Sequence, residues 1–364
     1  MRTFARTFAS LVRWTNFMPR HVTIKEVAAV AGISYQTVSK VLNHQVKVSK
    51  QTEERIWTAA NELGYHPNFI ARSLRSQCSG MIGFSWEPTP PDQTNQIYSQ
   101  FMESIIHYSE SVGYHILAFP YKPGGEWINA YRNLIETNRV DGFILSSVEY
   151  EDTRITFLQE QKFPFVAFGR SNPEWQFPYV DVDGAAGMRM VVEHLVSQGY
   201  RRIAILNWSE AKSTSVGKNR MKGCMEALKN AGIDMPPQWI ARGEGDFPFA
   251  YQSSVQWLDL PPAQRPTAIV AFSDIMALGA LNAALNLGIR VGIDLAITGF
   301  DDSTLIQYMI PSLTSVRQPI WEVGRTAVEI LQGILNGNPP QIQAVLLEPT
   351  LIVRASSSQP ARSF

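Results

Sequence analysis

Tyr35, Gln36, Ser39 and Lys40 bring a phenol, an amide, a hydroxyl and an ammonium group into one six-residue window. Groups of this kind tell base pairs apart in the major groove of DNA, where each pair shows a different donor and acceptor pattern. They need a support that presents them together. Thr23 and Glu26 make a T-x-x-E capping box, and Ile24, Val27, Ala28 and Ala31 follow at i, i+3, i+4 and i+7, which predicts a helix starting at Thr23 with one apolar stripe. Gly32 ends that helix. Ser34 caps a second one whose inner face is Val38, Val41 and Leu42, so the four polar residues are expected to point outward near its N-terminal end. A hairpin that merely packs on a core would have the same corner, but the polar set at the start of the second helix is what a helix-turn-helix lays against base edges.

A second group of able residues lies downstream, each just after an apolar run. Trp86 closes MIGFSW, Tyr98 opens the helical stretch after it, and Arg170 follows VAFG. Ser215 and Arg220 flank the loop after RRIAILN, Phe247 follows residues 239–241, Ser273 follows TAIVAF and Asp301 follows AITGF. Ligands of open α/β sheets bind beyond the C-terminal ends of the strands, so these positions are candidates for a binding cleft. Aromatic faces, guanidinium forks and a carboxylate suit a sugar or a nucleoside. Each has a plainer alternative: an arginine in a surface ion pair, an aspartate as a helix cap, a phenylalanine in the core.

The elements that must hold this group alternate between strand and helix. Runs at 81–86, 115–120, 140–147 and 163–169 read as strands of one half, separated by helical stretches such as 97–112 and 127–138; 179–184, 201–207, 267–274 and 295–302 read as a second half, with helices near 185–198, 218–231 and 275–287. Strands joined by such helices imply parallel sheets with right-handed crossovers, hence an α/β protein with two doubly wound halves. A helix near 319–335 and a strand at 345–353 complete the pattern.

Composition excludes several classes. The chain has 364 residues, 45% hydrophobic and 18% charged, as soluble globular proteins have. Its net charge is zero but uneven: residues 1–76 hold eleven Lys and Arg against four acids, a surplus of seven that the rest of the chain cancels. A basic head on an acidic body fits a polyanion-binding module joined to something that should not itself adhere to DNA. Cys78 and Cys224 stand far apart with no metal-ligand spacing, so no disulfide framework and no metal are expected, and a reducing cytoplasm fits. No apolar run is long enough to cross a membrane. There is no G-x-G-x-x-G opening a helix, no Walker loop and no nucleophile elbow, so no catalytic residue and no cofactor is assigned.

The run from Thr23 through S-Y-Q-T-V-S (34–39) resembles the N-terminal motif of the LacI/GalR family of bacterial transcriptional regulators, and the resemblance covers residues 22–354. It departs at Lys40, where a relative carries arginine; lysine keeps the charge but loses the bidentate fork that suits guanine. The resemblance implies a DNA-facing set of Thr23, Ser34, Tyr35, Gln36, Thr37, Ser39, Lys40, Asn43, Ser49, Lys50, Asn68, Ala71, Leu74 and Arg75. Within it, Leu74 matches the side chain of a hinge helix that wedges into the minor groove, and Ser49 caps a third helix ending at Gly64. At family effector positions stand Arg220, Asp301 and Phe247; Trp86, Tyr98, Arg170, Ser215 and Ser273 complete the expected ligand set.

The implied organisation is an N-terminal extension (1–20, with Met18 a candidate start), a helix-turn-helix domain (21–66), a hinge (67–77) and a periplasmic-binding-protein-like effector domain (78–354). That last domain is expected to split into a first subdomain of 78–178 and 311–338 and a second of 179–310 and 339–354. The implied protein is a cytoplasmic homodimer on a pseudo-palindromic operator, a repressor released by a small carbohydrate. A regulator answering to a nucleobase or nucleoside is the nearest alternative. A sugar-uptake receptor without a DNA role is disfavoured by the helix-turn-helix.

Overall fold

The computed structural model describes residues 22–42, 46–65, 78–88, 95–121, 127–209, 215–341 and 344–358. The expectations on the extension 1–17, on Asn43, and on the hinge residues Asn68, Ala71, Leu74 and Arg75 lie outside them. The chain divides into two compact units, one ending at Gln77 and the other beginning at Cys78.

In the first unit, helices α1 (Ile24–Ala31), α2 (Tyr35–Leu42) and α3 (Lys50–Glu62) close on one small core. The capping box forms: the Thr23 hydroxyl accepts from Glu26 N–H, and Glu26 Oε2 accepts from Thr23 N–H at 2.7 Å. Gly32 takes the left-handed conformation at φ 62° that a side chain resists. Arg55 of α3 donates to the Ala31 carbonyl at 2.7 Å, which pins the corner from the third helix. Val27, Val38 and Ile56 meet with no exposed surface, one from each helix.

The second unit holds two six-stranded sheets. The first contains β1 (Met81–Trp86), β2 (His115–Pro120), β3 (Gly142–Leu145), β4 (Phe165–Phe168), β5 (Tyr179–Val182) and β11 (Ala344–Leu347), in the order β11-β5-β4-β3-β1-β2. All its pairings are parallel. Because strand side chains alternate, β3 sends Phe143 and Leu145 into the core under α5 (Trp127–Glu136) and α6 (Thr153–Glu160), and Ile144 into the one under α4 (Gln96–Ser111) and α11 (Ile320–Leu335).

The second sheet runs β12-β10-β9-β8-β6-β7, from β6 (Ile203–Trp208), β7 (Ile240–Gly243), β8 (Ala268–Ala271), β9 (Ala296–Asp301), β10 (Thr314–Arg317) and β12 (Thr350–Ile352). Only β12 runs antiparallel, against β10. Helices α7 (Gly184–Ser197), α8 (Ser215–Asn230), α9 (Phe247–Leu258) and α10 (Asp274–Asn286) cover it. A Cβ on Gly223 of α8 would come within 2.1 Å of the Ala185 carbonyl oxygen, so only glycine allows α7 and α8 to approach this closely.

The chain crosses between the lobes after β5, after β10 and between β11 and β12. This corrects three sequence expectations. The strand at 179–182 belongs to the first sheet rather than the second half. The segment after Pro311 first completes the second sheet with β10 before α11 returns to the first lobe. The expected strand at 345–353 is two strands, one in each sheet. The reason common to all three is that apolar runs carry no mark of which sheet they join. Helices α6 and α9 also add to the elements read from sequence.

Candidate DNA-reading helix and interlobe cleft

Helix α2 starts where Ser34 accepts from Thr37 N–H at 3.2 Å, which leaves the next residues at the exposed end of the pair. Tyr35 is 44% exposed, and Gln36 and Lys40 are also exposed, as their spacing predicts. Ser39 is not: it is buried beside Val38, correcting the expectation that it points outward. With α1 and α3 both against this short helix, its covered face is wider than the apolar stripe alone indicates. Ser49 accepts from Thr52 N–H at 3.3 Å and so opens α3, with Ser49 and Lys50 both exposed.

The cleft lies where the C-terminal ends of both parallel sheets face each other, a cavity of about 860 Å³. Its centre is Arg220, in the second turn of α8. Arg220 is 5% exposed; Nη1 donates to the Phe272 carbonyl, and the guanidinium carbon lies over the Phe300 ring, 3.5 Å from its centroid. Nη2 stands 3.6 Å from the Asp301 carboxylate, while Nε has no partner among the described residues. A buried N–H without an acceptor costs free energy, so a ligand oxygen here would be rewarded.

Asp301 ends β9 with a positive φ of 113°. Gln318 donates to its Oδ1 at 2.7 Å, and the carboxylate keeps 24% of its surface open. Burial pushes the Asp301 carboxyl up and the Arg220 charge pulls it back. Behind it, Asp274 at the start of α10 accepts from Ser303 N–H at 2.6 Å and from Ser315 Oγ at 2.6 Å; burial raises this carboxyl too.

The first lobe offers a matching pair. Arg170 Nε donates to Asp181 Oδ2 at 2.7 Å, with Asp181 buried at the end of β5. Burial lifts the Asp181 carboxyl, and Arg170 opposes it. Tyr98 lines the same wall, its phenol raised above its ordinary value by burial. Beneath the wall, Arg154 and Asp152 form an ion pair with no exposed surface. Arg154 also donates to Ser85 Oγ at 3.1 Å and to the carbonyls of Ser146 and Ser147 at 2.9 and 3.1 Å, and it stacks 3.7 Å over the Tyr121 ring. That lattice fixes the loop after β3, whose Glu149 and Tyr150 face the cleft. The lobes meet at its rim, where Gln96 donates to Thr304 Oγ1 at 2.9 Å and accepts from Thr304 N–H at 3.0 Å.

Of the residues singled out from sequence, Tyr98, Arg170, Ser215, Arg220 and Asp301 come together in this cavity. Trp86, Phe247 and Ser273 are not among its lining residues. Trp86 continues the Ile82 and Phe84 face of β1 into the core under the first sheet. Phe247 stacks on Tyr251 at 6.3 Å, and Ser273 accepts from Met276 N–H as the N-cap of α10. Asp181, Trp208, Tyr150 and Gln318 line the cavity and went unread. Asp181 had a signal, a carboxylate set between valines in a strand.

Among the described residues no group of His, Cys, Asp and Glu could hold a metal ion, and no helix is long and apolar enough to cross a membrane. A helix-turn-helix unit followed by a two-lobed, cleft-bearing body is the build of a ligand-responsive DNA-binding regulator. The model of the lacI family of bacterial regulatory proteins matches residues 23–68, and that of the periplasmic binding protein-like domain matches residues 192–357. The HTH-type transcriptional repressor CytR of Escherichia coli is 33% identical over 340 residues, covering 92% of this chain and 96% of that protein. A regulatory protein of the LacI family from Chloroflexus aggregans is 48% identical over 78% of this chain and all of its own, with a TM-score of 0.74. The lac repressor dimer bound to operator and the anti-inducer ONPF is 28% identical over 93% of this chain and all of its own, with a TM-score of 0.79. The chain belongs to the LacI family of bacterial transcriptional regulators, whose members are not enzymes.

Proposed function

We propose that this protein is a homodimeric, cytoplasmic repressor whose grip on a pseudo-palindromic operator is released by a small carbohydrate held between the lobes. Tyr35, Gln36 and Lys40 read bases; Thr23, Ser34, Thr37, Ser49 and Lys50 seat the helix pair on phosphate; and Asn43, Asn68, Ala71, Leu74 and Arg75 extend the contact toward the hinge, with Leu74 the minor-groove wedge. Ser39 supports α2 from within.

The observation that carries the ligand reading is the Arg220–Asp301 pair, a buried guanidinium whose Nε–H has no acceptor among the described residues, beside a carboxylate partly open to the cleft. A carboxylate that accepts and a guanidinium that donates satisfy two neighbouring hydroxyls of a sugar together, while Trp208 and Tyr98 supply ring faces for its apolar side. The Trp208 face would stack equally well on a planar base, and this supports the nucleoside reading as second. Thermal-shift screening of the full chain against sugars, nucleosides and nucleobases separates the two: a ligand at about 100 times its Kd stabilises by about 2.7 kcal/mol. The active compound should then weaken operator binding in a gel shift. A nucleoside that shifts the melting temperature where no sugar does would replace the first reading with the second.

A further inference from the structure

Beside the central cleft lies a second cavity of about 680 Å³, walled on one side by the loop from β4 to β5 and on the other by α8. Each cavity alone lies in the range of about 300–1,000 Å³ that holds a whole drug-sized ligand. They share Tyr150, Arg170, Ser215 and Asn219, so they adjoin there, and a ligand reaching past these four side chains would occupy both as one trough.

The outer part differs in chemistry from the centre. Trp175, Phe177 and Tyr179 line it without a buried ion pair of their own, and Lys218 reaches across from α8 to lie 4.5 Å over the Tyr150 ring. This aromatic loop is held in place. Trp175 N–H donates to the Asn172 carbonyl at 3.0 Å, Gln159 donates to the Gln176 carbonyl at 2.7 Å, and Phe177 packs between Phe165 and Tyr179 at 6.5 and 5.5 Å. At the junction of the two cavities sits Ser215, 7% exposed, whose Oγ has no hydrogen-bond partner among the described residues. A buried hydroxyl left unsatisfied destabilises the protein until something fills its valence, and both cavities border it.

We propose that the effector is a two-ring saccharide lying along this trough. One ring is held by Arg220 and Asp301, the linking oxygen or an adjoining hydroxyl meets Ser215 Oγ, and the second ring stacks against Trp175 under the Lys218–Tyr150 contact. A single hexose fills only the inner part. This rests on the carbohydrate reading above and adds the length of the ligand and the residues that select it: Trp175, Lys218, Tyr150 and Ser215.

The test measures Kd by calorimetry on the full chain for glucose, maltose, cellobiose and maltotriose, with wild type, Trp175→Ala and Lys218→Ala. At least one disaccharide should bind wild type about tenfold or more tightly than glucose, as an added aromatic contact allows. The ratio of disaccharide to glucose affinity should collapse toward one in Trp175→Ala and fall in Lys218→Ala. Lys218 is exposed, so its variant reports on the trough even if replacing Trp175 loosens the loop. Equal binding of glucose and both disaccharides by wild type, or an affinity ratio unmoved in both variants, overturns the two-ring proposal and leaves the carbohydrate reading intact. No binding by any saccharide, with a nucleoside bound instead, overturns the carbohydrate reading and the proposal together.

Discussion

Asp301→Asn replaces a carboxylate by an amide of the same size at the acidic group of the cleft that lies beside Arg220 and stays partly open. In the free protein the change removes the nearest countercharge of buried Arg220, so some loss of stability is expected while the other Arg220 contacts remain. The nearest Arg220 nitrogen stands at 3.6 Å, beyond a hydrogen bond, and Arg220 keeps the Phe272 carbonyl and the Phe300 ring. Gln318 can still donate to the amide oxygen. The bound state loses more, because hydrogen bonds from ligand hydroxyls to a charged acceptor contribute about 1.5–3 kcal/mol. That corresponds to a Kd raised about 10- to 150-fold. A ligand dose that stabilises wild type by about 2.7 kcal/mol would, after a hundredfold loss, stabilise the variant by only about 0.4 kcal/mol. Two assays read this: the ligand-induced rise in melting temperature, and the ligand concentration that half-releases operator in a gel shift. Operator affinity without ligand should stay within error of wild type. If the variant releases operator at the wild-type ligand concentration, Asp301 is not a ligand acceptor and the assignment of the cleft fails.

Gln36→Ala should weaken binding to a selected operator by about 1–3 kcal/mol and binding to random DNA very little; equal losses on both would remove Gln36 from base readout. Leu74→Ala should reduce specific affinity and DNA bending, measured on circularly permuted fragments, while ligand affinity holds. Gly223→Ala drives a methyl into the Ala185 carbonyl and should lower stability by about 1–3 kcal/mol in urea titrations, with ligand affinity falling as α8 carries Ser215 and Arg220 away from the cleft. His194, half-buried and hydrogen-bonded to Ser357 Oγ at 2.8 Å, has its pKa lowered by burial. The unfolded chain therefore takes up the extra proton first, so this contribution is intact above about 6.5 and declines as pH falls through that value toward the folded pKa. His194→Gln should flatten that acid slope of the melting temperature, and an unchanged slope would clear His194 of the effect.

The helix pair was legible because its signals are local: a capping box, an apolar stripe and a serine cap each act within one turn. Ser39 was misread because the covered face of α2 is set by its packing against both α1 and α3, which the apolar stripe alone does not show. The strands were legible one by one, yet their assignment to lobes was not, since an apolar run does not say which sheet it joins. The rule that ligand residues follow strands picked Arg170 and Asp301 correctly as cleft-lining groups but also Trp86, whose place in the β1 alternation sends it into the core. Arg154 left no trace in the sequence; its partners come from the ends of separate strands and a neighbouring turn.

The misplaced lobe boundaries bear on mechanism, because two of the three true crossings border the cleft. Asp181 lies one residue before the end of β5, where the chain first leaves the first lobe, and Gln318 lies between β10 and α11, where it returns. Gln318 donates to Asp301, and Asp181 accepts from Arg170 while sitting within the field of Arg220. A ligand hydroxyl that donates to Asp301 would share this carboxylate with a bond from a crossing segment, so it would act on the hinge at the hinge itself. Lobe closure of this kind needs no long chain of coupled side chains between site and hinge. It needs only that the ligand prefer one arrangement of the crossings by about 1–3 kcal/mol, the size of one hydrogen bond to the Asp301 carboxylate that forms in that arrangement and not in the other.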